Sequence, residues 1–279
     1  MMTVLEVEDL RVQFRTEFGR LDAVRGVSFT VGRERVGIVG ESGSGKSMTG
    51  RSILRMVPER ATLSARRLQF MEIDLLSLDQ RALRELRGAR ISMIMQDPKY
   101  SLNPLMRIGA QIAEAYRVHR RVGRREARER ALDMLAAVQI RDPARVYDLY
   151  PHELSGGMGQ RAMISMMLAP DPDLVIADEP TSALDVTVRT EVLRILDKLV
   201  DERGLALIFI SHDLNLVAAF CDRVLIMYAG RIVEEVEANR LHEAQHPYTR
   251  GLLASLPGVG EHRSTLPVLQ RERAWLGPP

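Results

Sequence analysis

The chain has 279 residues, of which 46% are hydrophobic, enough to build the core of one large domain or two small ones. Lysines and arginines (39) nearly balance aspartates and glutamates (37), and the net charge of +2 argues against a dedicated nucleic-acid binder, which usually carries a basic excess. The single cysteine, Cys221, excludes an internal disulfide and a cysteine-held iron–sulfur cluster, and we interpret it as a small buried apolar residue.

Signals for export or membrane insertion are missing from the sequence. The segment Met1–Asp9 carries acids and no cationic region, so we expect no secretory signal. No apolar run approaches the roughly 18 residues needed to cross a bilayer. The longest runs, Leu205–Ile210 and Val224–Tyr228, have the length of buried strands. We therefore expect a cytoplasmic protein that does not itself span a membrane.

The first part of the chain predicts a hairpin followed by a strand, a glycine-rich loop and a helix. Val4–Phe14 and Ala23–Val31 alternate partly, as strands do, and Glu17–Arg20 separates them as a turn. Arg35–Val39 is a short apolar run, and Lys46–Met56 has helical spacing. The glycine-rich loop therefore lies at a strand-to-helix junction.

From residue 91 onward, short apolar strands alternate with helices, which indicates a largely parallel sheet covered by helices. The stretch from Arg107 to about Leu168 interrupts this alternation and is a candidate helical subdomain inserted at about residues 100–168. Several prolines follow in Glu237–Pro279, which we interpret as an appended tail. The predicted elements are strands at Ile91–Met95, Leu174–Ala177, Leu205–Ile210 and Arg223–Tyr228, and helices at Ser155–Leu168, Val186–Arg203 and Leu214–Cys221.

The segment from Gly40 to Ser47 fits the phosphate-binding pattern G-x-x-x-x-G-K-[ST] in the strand–loop–helix context that it requires. Glycines let backbone N–H groups converge on phosphate oxygens, and the start of a helix adds its positive end. Lys46 can reach the β- and γ-phosphates, and Ser47 can offer its hydroxyl to Mg²⁺. The alternative is a glycine-rich turn without a ligand. The candidate nucleotide-binding residues are Gly40, Ser42, Gly43, Ser44, Gly45, Lys46 and Ser47.

Two carboxylates follow the apolar strand at Leu174–Ala177, at the end of a strand where α/β sheets bind ligands. Asp178 is a candidate ligand for Mg²⁺, directly or through water. Glu179 is placed to polarise an attacking water. The alternative is a solvated turn, which a preceding buried strand disfavours.

A Ser-Gly-Gly turn at Ser155, Gly156 and Gly157 enters a helix, where it could bind an anion. The turn is a weak signal alone, but its order relative to the other motifs is informative. From about Val4 to Tyr248 the chain resembles an ABC-type ATPase. The resemblance rests on the phosphate-binding loop, the Ser-Gly-Gly turn, the pair Asp178 and Glu179, Gln96 after a strand, and His212 after Ile208–Ser211.

The resemblance implies an α/β fold, with a P-loop NTPase core of ABC type. That core combines a mixed sheet with helices, an antiparallel β subdomain on the N-terminal side and an inserted helical subdomain. The ATPase domain would cover residues 1–236, and residues 237–279 would form a truncated version of the tail typical of peptide-importer ATPases. The implied cofactors are ATP and Mg²⁺.

The resemblance also assigns roles to individual positions. Lys46 and Ser47 match the Walker A loop, Asp178 matches Walker B, and Glu179 matches the catalytic base. Gln96 matches the Q-loop glutamine, which in the family senses Mg²⁺ and the membrane partner. Ser155, Gly156 and Gly157 match the signature loop, which contacts the γ-phosphate held by the other subunit. Asp185 lies in the D-loop at the dimer interface, and His212 matches the switch histidine at the γ-phosphate.

The family stacks an aromatic residue of the first hairpin on the adenine base. Phe14 is our choice because it lies at the end of the first strand, and Phe18 is the alternative. For either residue, ordinary core packing is the competing interpretation.

Three segments resemble the branch of importers for oligopeptides, dipeptides and nickel. This branch implies two transmembrane permease subunits, a second ATPase subunit that is a paralogue or an identical copy, and an extracytoplasmic substrate-binding protein. It places the chain at the cytoplasmic face of the membrane, without a nucleic-acid partner, and the cargo stays open among peptides, nickel and metal chelates. The segments are Gln96–Pro104, Leu184–Thr187 and His246–Arg250.

Other assignments remain open at this point. An ABC-like subunit of a phosphonate-degrading complex also resembles this branch, whereas ATPases acting on DNA or the ribosome need a long coiled coil or duplicated motifs, which the sequence lacks. Members of the branch usually carry a larger side chain, often arginine, where this chain has Gly159. The tail has no cysteine, so a cluster-binding role is not expected. The basic stretch Arg117–Arg130 is interpreted as a solvated helix face, with contact to the membrane partner as the alternative.

Overall fold

The computed structural model of the protein describes residues 3–17, 19–255 and 275. It divides into two compact units, one formed by Met1–Ser77 with Ile208–Pro279 and the other by Leu78–Leu207. The chain thus leaves the first unit once and returns to it. These limits differ from the predicted insertion at about residues 100–168, because the second unit also contains the strands and helices on either side of that segment.

The first unit contains an antiparallel sheet, as expected for the N-terminal side. Its order is β2-β1-β5-β6, and β4 also pairs with β1. The predicted second strand began at Ala23, but pairing continues outward to Thr16 opposite Gly19, so the hairpin is longer than the alternation suggested. The strands are β1 (Leu5–Thr16), β2 (Gly19–Val31), β4 (Ala61–Ser64), β5 (Arg67–Phe70) and β6 (Ile73–Asp74).

A second group of strands in this unit carries the glycine-rich loop. Strand β3 pairs in parallel with β10, which pairs antiparallel with β11. Helix α8 packs on β3, where a Cβ at Gly37 would collide with Val217 and Cys221. Burial raises the pKa of the Cys221 thiol, which therefore stays protonated and acts as an apolar residue. The elements are β3 (Arg35–Val39), α1 (Lys46–Ile53), α8 (Leu214–Phe220), β10 (Arg223–Tyr228) and β11 (Arg231–Glu237).

The predicted tail from residue 237 begins with ordered structure. A 3-10 helix at Ala238–Glu243 follows β11 directly, and helix α9 covers Pro247–Ala254. Tyr248 and Thr249 of α9 are fully buried. The described part of the tail is therefore packed within the first unit.

The second unit is mostly helical and contains two parallel strands, β7 (Ile91–Ile94) and β8 (Leu174–Asp178). The helical stretch expected after Arg107 is present as α3 to α6, and the bounds of α7 agree with the prediction. Strand β9 (Ala206–Ser211), buried throughout, leads the chain out of this unit. The helices are α2 (Gln80–Leu86), α3 (Ile108–Arg120), α4 (Arg124–Ala137), α5 (Pro143–Asp148), α6 (Gly156–Leu168) and α7 (Val186–Arg203).

The basic stretch Arg117–Arg130 lies on α3 and α4, where much of its charge is matched. Arg125 pairs with Glu129, and Arg130 pairs with Glu126, each one helical turn away. The solvated-face interpretation fits these pairs. Within the described ranges 3–17, 19–255 and 275, no helix is both long and apolar enough to cross a membrane.

Candidate functional site

The glycine-rich loop connects buried strand β3 to helix α1, and two of its glycines are required for different physical reasons. Gly45 caps α1 with φ 101°, a left-handed conformation that other residues adopt at a cost. Gly40 has an ordinary φ, but a Cβ there would collide with the carbonyl oxygen of Met227 and lie 2.8 Å from Ser44 Oγ. The backbone path of this loop therefore depends on glycine at both ends.

The polar groups of the loop suit an anionic ligand. Lys46 is only 5% exposed, and its Nζ donates to the carbonyl oxygens of Gly40 (2.8 Å) and Glu41 (2.9 Å). Ser44 Oγ is buried and has no hydrogen-bond partner among the described residues. An orphaned hydroxyl beside a buried ammonium group and a helix N-terminus fits a phosphate group. Ser42 and Gly43 are exposed, and Ser47 is half-buried in the first turn of α1.

Two contacts from distant parts of the first unit hold the loop. The backbone N–H of Gly230 donates to the Ser44 carbonyl oxygen at 2.9 Å. The backbone N–H of Glu41 donates to the Tyr248 hydroxyl oxygen at 3.0 Å. Sequence reasoning missed both contacts. The sequence signal that includes Tyr248 is the segment His246–Arg250, whose resemblance to the importer branch predicts no contact with the loop.

The first unit contains two further candidate site residues, His212 and Phe14, outside the glycine-rich loop. His212 is exposed directly after β9, and the next residue, Asp213, caps α8 by accepting from Leu216 N at 3.1 Å. Phe14 is half-buried on β1, opposite Leu21 of β2. Phe18, the alternative aromatic residue, lies outside the described residues.

In the second unit, the two carboxylates follow β8, all five residues of which are buried. Asp178 is 5% exposed. Glu179 is half-buried and has φ 47°, an uncommon value for a residue with a side chain. The Glu179 carbonyl oxygen accepts from both the backbone N–H (3.3 Å) and the hydroxyl (3.2 Å) of Ser182.

Gln96 follows β7 at the same edge of the β7–β8 pair at which Asp178 and Glu179 follow β8. Ile94 of β7 lies opposite Ala177 of β8, so the segments after both strands leave at one edge. Gln96 itself is exposed. The following loop is held by Gln111, a buried residue that the sequence analysis did not single out. It accepts from Asn103 N at 2.8 Å and donates to the Asn103 carbonyl oxygen at 3.0 Å.

The Ser-Gly-Gly turn lies at the exposed N-terminus of α6. Ser155 caps the helix, accepting from Met158 N at 3.4 Å, and Gly156 is exposed. Gly157 packs against α7, where an added Cβ would lie 2.5 Å from Val188 Cγ1. This glycine therefore allows the turn to approach α7 closely.

Asp185 belongs to the same surface of the second unit. Its carboxylate caps α7 by accepting from Val188 N at 3.0 Å. A cavity of about 930 Å³ is lined by the Ser-Gly-Gly turn together with Ala183, Leu184 and Asp185. The structure thus brings Ser155, Gly156, Gly157 and Asp185 together within one unit.

Gly159 lies one turn further along α6 and is buried. A Cβ there would meet Pro98 Cγ at 3.5 Å, an ordinary van der Waals distance, so space remains for one methyl group beside the segment that follows Gln96. Gly159 does not interrupt the hydrogen bonding of the helix, because its backbone N–H donates to the Ser155 carbonyl oxygen at 2.8 Å.

Within residues 3–17, 19–255 and 275, no group of three His, Cys, Asp or Glu side chains is arranged to hold a metal ion. Mg²⁺ commonly takes one or two carboxylates and completes its coordination with water and phosphate oxygens. The hydroxyl of Ser47 in the first unit and the carboxylate of Asp178 in the second unit each have the chemistry of an Mg²⁺ ligand.

Comparison with known proteins gives consistent results. The profile of the ABC transporter family matches residues 24–182. The chain is 51% identical over 257 residues to the probable peptide ABC transporter ATP-binding protein y4tR of Sinorhizobium fredii, covering 91% of this chain and 77% of that protein. It is 45% identical to the dipeptide transport ATP-binding protein DppD of Haemophilus influenzae, covering 96% and 82%.

A solved structure supports the same relationship. The dimeric structure of MJ0796, a bacterial ABC transporter cassette, superposes with a TM-score of 0.75 at 27% identity, covering 84% of this chain and 99% of that one. The mixed α/β architecture predicted from the sequence is confirmed by this similarity.

Proposed function

The chain belongs to the ABC transporter family and is an ATPase, and we propose that it powers an importer of peptides. The observation that carries the ATPase assignment is the loop from Gly40 to Ser47, with its buried Lys46 and the orphaned Ser44 hydroxyl. The importer assignment rests on relatives that are named for peptide import and dipeptide transport.

Nucleotide binding is proposed to begin at the glycine-rich loop. The N–H groups around Gly43 to Lys46 and the Lys46 ammonium group take the β- and γ-phosphates. Ser47, Asp178 and Gln96 are each proposed as an oxygen ligand for Mg²⁺. When bound, Mg²⁺ neutralises charge that develops on the transferred phosphoryl group. Phe14 is proposed to stack on adenine.

Glu179 is proposed as the general base that orients the attacking water. Its position supports this role, because it follows Asp178 directly at the end of buried strand β8. His212 is proposed to contact the γ-phosphate. Both residues are at least partly accessible, as groups that act on a bound nucleotide must be.

A second ATPase subunit is proposed to complete each site. Ser155 and Gly156 are exposed at a helix N-terminus, where they present an anion-binding surface outward. We propose that this surface contacts the γ-phosphate held by the partner ATPase and that Asp185 lies at the same interface. ATP then stabilises the closed pair through contacts that the open pair lacks, and hydrolysis releases it.

The partners proposed for transport are two permease subunits and, indirectly, an extracytoplasmic substrate-binding protein. The chain would lie at the cytoplasmic face of the membrane. The names of the relatives favour this assignment over the alternative, an ATPase of a phosphonate-degrading complex. Peptides are preferred to nickel or metal chelates for the same reason.

Copurification tests the proposed function. We expect tagged chain, purified in mild detergent from its native membrane, to retain two multi-span proteins and a second ATPase, identified by mass spectrometry. A Lys46→Ala variant, which should bind the same partners without hydrolysing ATP, separates assembly from turnover. Retention of soluble enzyme subunits only would contradict the importer and leave the ATPase assignment in place.

A further inference from the structure

We infer that Tyr248 is a positioning residue for the ATP-binding loop, acting on it from the C-terminal segment. The inference rests on the ATPase activity of the family and concerns how the loop is held before nucleotide arrives. Tyr248 belongs to the segment His246–Arg250, which resembles the importer branch and has no role in the proposed function.

The contact is direct, and Tyr248 reaches it from a fully buried position. Tyr248 is 0% exposed, and its hydroxyl oxygen accepts from the backbone N–H of Glu41 at 3.0 Å, across 207 residues of sequence. Glu41 is the second residue of the phosphate-binding pattern. Its N–H is thereby oriented by a side chain from another part of the unit, rather than by the loop itself.

The position of Tyr248 is itself fixed by β11. One carboxylate oxygen of Glu234 accepts from the backbone N–H groups of Gln245 (2.5 Å) and His246 (3.2 Å). His246 then caps α9, with its Nδ1 accepting from Tyr248 N at 3.2 Å. The start of α9 is therefore anchored before its second helical residue, Tyr248, reaches the loop.

A second connection runs through Tyr228, the last residue of β10. Its ring packs against the Tyr248 ring with centroids 4.6 Å apart. Two residues later, Gly230 N donates to the Ser44 carbonyl oxygen at 2.9 Å. Within the loop, Ser44 N donates to the Glu41 carbonyl oxygen at 3.1 Å. The two residues that close this turn, Glu41 and Ser44, are thus each held by the C-terminal region.

This arrangement pre-organises the loop. A loop held in its binding conformation loses less conformational entropy when ligand arrives, so affinity increases without any new contact to the ligand. Removing the Tyr248 hydroxyl leaves the Glu41 N–H without this acceptor. We expect a loss of about three- to tenfold in ATP affinity, the equilibrium equivalent of one neutral hydrogen bond.

The test compares Tyr248→Phe with Tyr228→Phe in the full chain. Each substitution removes one hydroxyl from the same pair of packed rings, and among the described residues only the Tyr248 hydroxyl is bonded to the loop. We would measure the Kd for ATP, the kcat and KM of hydrolysis, and Tm. For Tyr248→Phe we expect a Kd and KM about three- to tenfold higher, a kcat near that of wild type, and a Tm lower by no more than about 2–4 °C, because the hydrogen bond also exists in the chain without ATP. For Tyr228→Phe we expect wild-type values throughout.

Four outcomes would overturn the inference. Wild-type Kd and KM in Tyr248→Phe would show that the hydrogen bond does not position the loop. Equal losses in both variants, accompanied by a lower Tm, would indicate general packing. A lower kcat at unchanged KM would place the effect in turnover rather than binding. Failure of the wild-type chain itself to bind ATP would overturn the ATPase assignment as well, and Lys46→Ala gives the signal expected for a chain without nucleotide.

Discussion

The glycine-containing turns Gly40–Lys46 in the first unit and Ser155–Gly157 in the second both precede a helix but are built differently. The first is enclosed: Lys46 is 5% exposed, and contacts from Gly230 and Tyr248 hold its backbone. The second is open, because Ser155 and Gly156 are exposed, while Gly157 packs closely against Val188 of α7.

The difference separates two ways of binding a phosphate. An enclosed loop can hold ATP within one chain, because its N–H groups and its cation are already oriented. An exposed turn at a helix N-terminus presents N–H groups outward and needs a ligand brought by another molecule. We therefore expect nucleotide binding to depend on the first turn and assembly with a second ATPase to depend on the second turn.

The largest expected effect is a loss of hydrolysis that leaves ATP binding by the enclosed loop unchanged. Glu179→Gln removes the carboxylate that orients water and leaves the enclosed loop intact, so kcat should fall at least about 100-fold while the Kd for ATP changes little. Phosphate release and nucleotide binding would be measured on the same preparation. Glu129→Gln, on the exposed face of α4, is the matched control. Rapid hydrolysis by Glu179→Gln would contradict the assignment of Glu179 as base.

The second prediction addresses the open turn. Gly157→Ala places a Cβ 2.5 Å from Val188 Cγ1, and such overpacking costs about 1–3 kcal/mol in the free energy of unfolding. We expect a lower Tm, slower hydrolysis and weaker ATP-dependent dimerisation in gel filtration, with the Kd of the single chain for ATP unchanged. Adding Val188→Ala removes the clash and should restore Tm. If the double variant stays as unstable as Gly157→Ala, the close approach to α7 is not the cause.

The third prediction concerns the hydrogen bonds that join the start of β3, which leads into the enclosed loop, to β10. Glu34, next to β3, accepts from Arg223 of β10 (2.8 Å) and from Gly32 N (3.0 Å). Burial opposes the charged form, but these hydrogen bonds and the charge of Arg223 lower the pKa of Glu34 below its ordinary value of 4.5. The stabilisation is therefore complete above that value and is lost as pH falls through the folded-state pKa.

Glu34→Gln tests these hydrogen bonds. We expect a loss of about 1 kcal/mol at pH 7, which shrinks in thermal melts as pH falls below 4.5 and through the lowered pKa of wild-type Glu34. Glu85→Gln, in the exposed pair with Arg81, should change little at either pH. A difference between wild type and Glu34→Gln that stays constant down to pH 3 would show that the charge of Glu34 is not involved.

The smallest expected effect concerns Gly159. Gly159→Ala adds a methyl group at an ordinary contact distance from Pro98 and improves helix propensity, so it should raise the free energy of unfolding by up to about 1 kcal/mol. Gly159→Arg introduces the residue that the family branch often carries at this position. Its long side chain would have to extend past the Pro98 ring, so we expect it to lower Tm. Equal Tm values for the two variants would show that the segment around Pro98 moves freely to accommodate a long side chain.

Local sequence determined much of this protein. The bounds of α7 and β10 followed directly from the apolar pattern, because the buried residues of α7 repeat with the period of a helix and β10 is a continuous apolar run of strand length. The loop from Gly40 to Ser47 was recognisable because its glycines and lysine lie within eight consecutive residues. Short strands β4 to β6 were not predicted, since two to four residues carry too little pattern and their pairing partners lie elsewhere in the chain.

Tertiary structure alone decided the contacts between distant segments. The bond from Glu41 to Tyr248 spans 207 residues, and no local pattern marks a hydroxyl that will meet a backbone N–H so far away. The reason for glycine at position 157 is equally non-local, since it is the side chain of Val188 that occupies the space of a Cβ. Sequence specifies the groups that can bind phosphate, because that chemistry is local. Which segments hold those groups in place depends on packing, which exists only once the chain has folded.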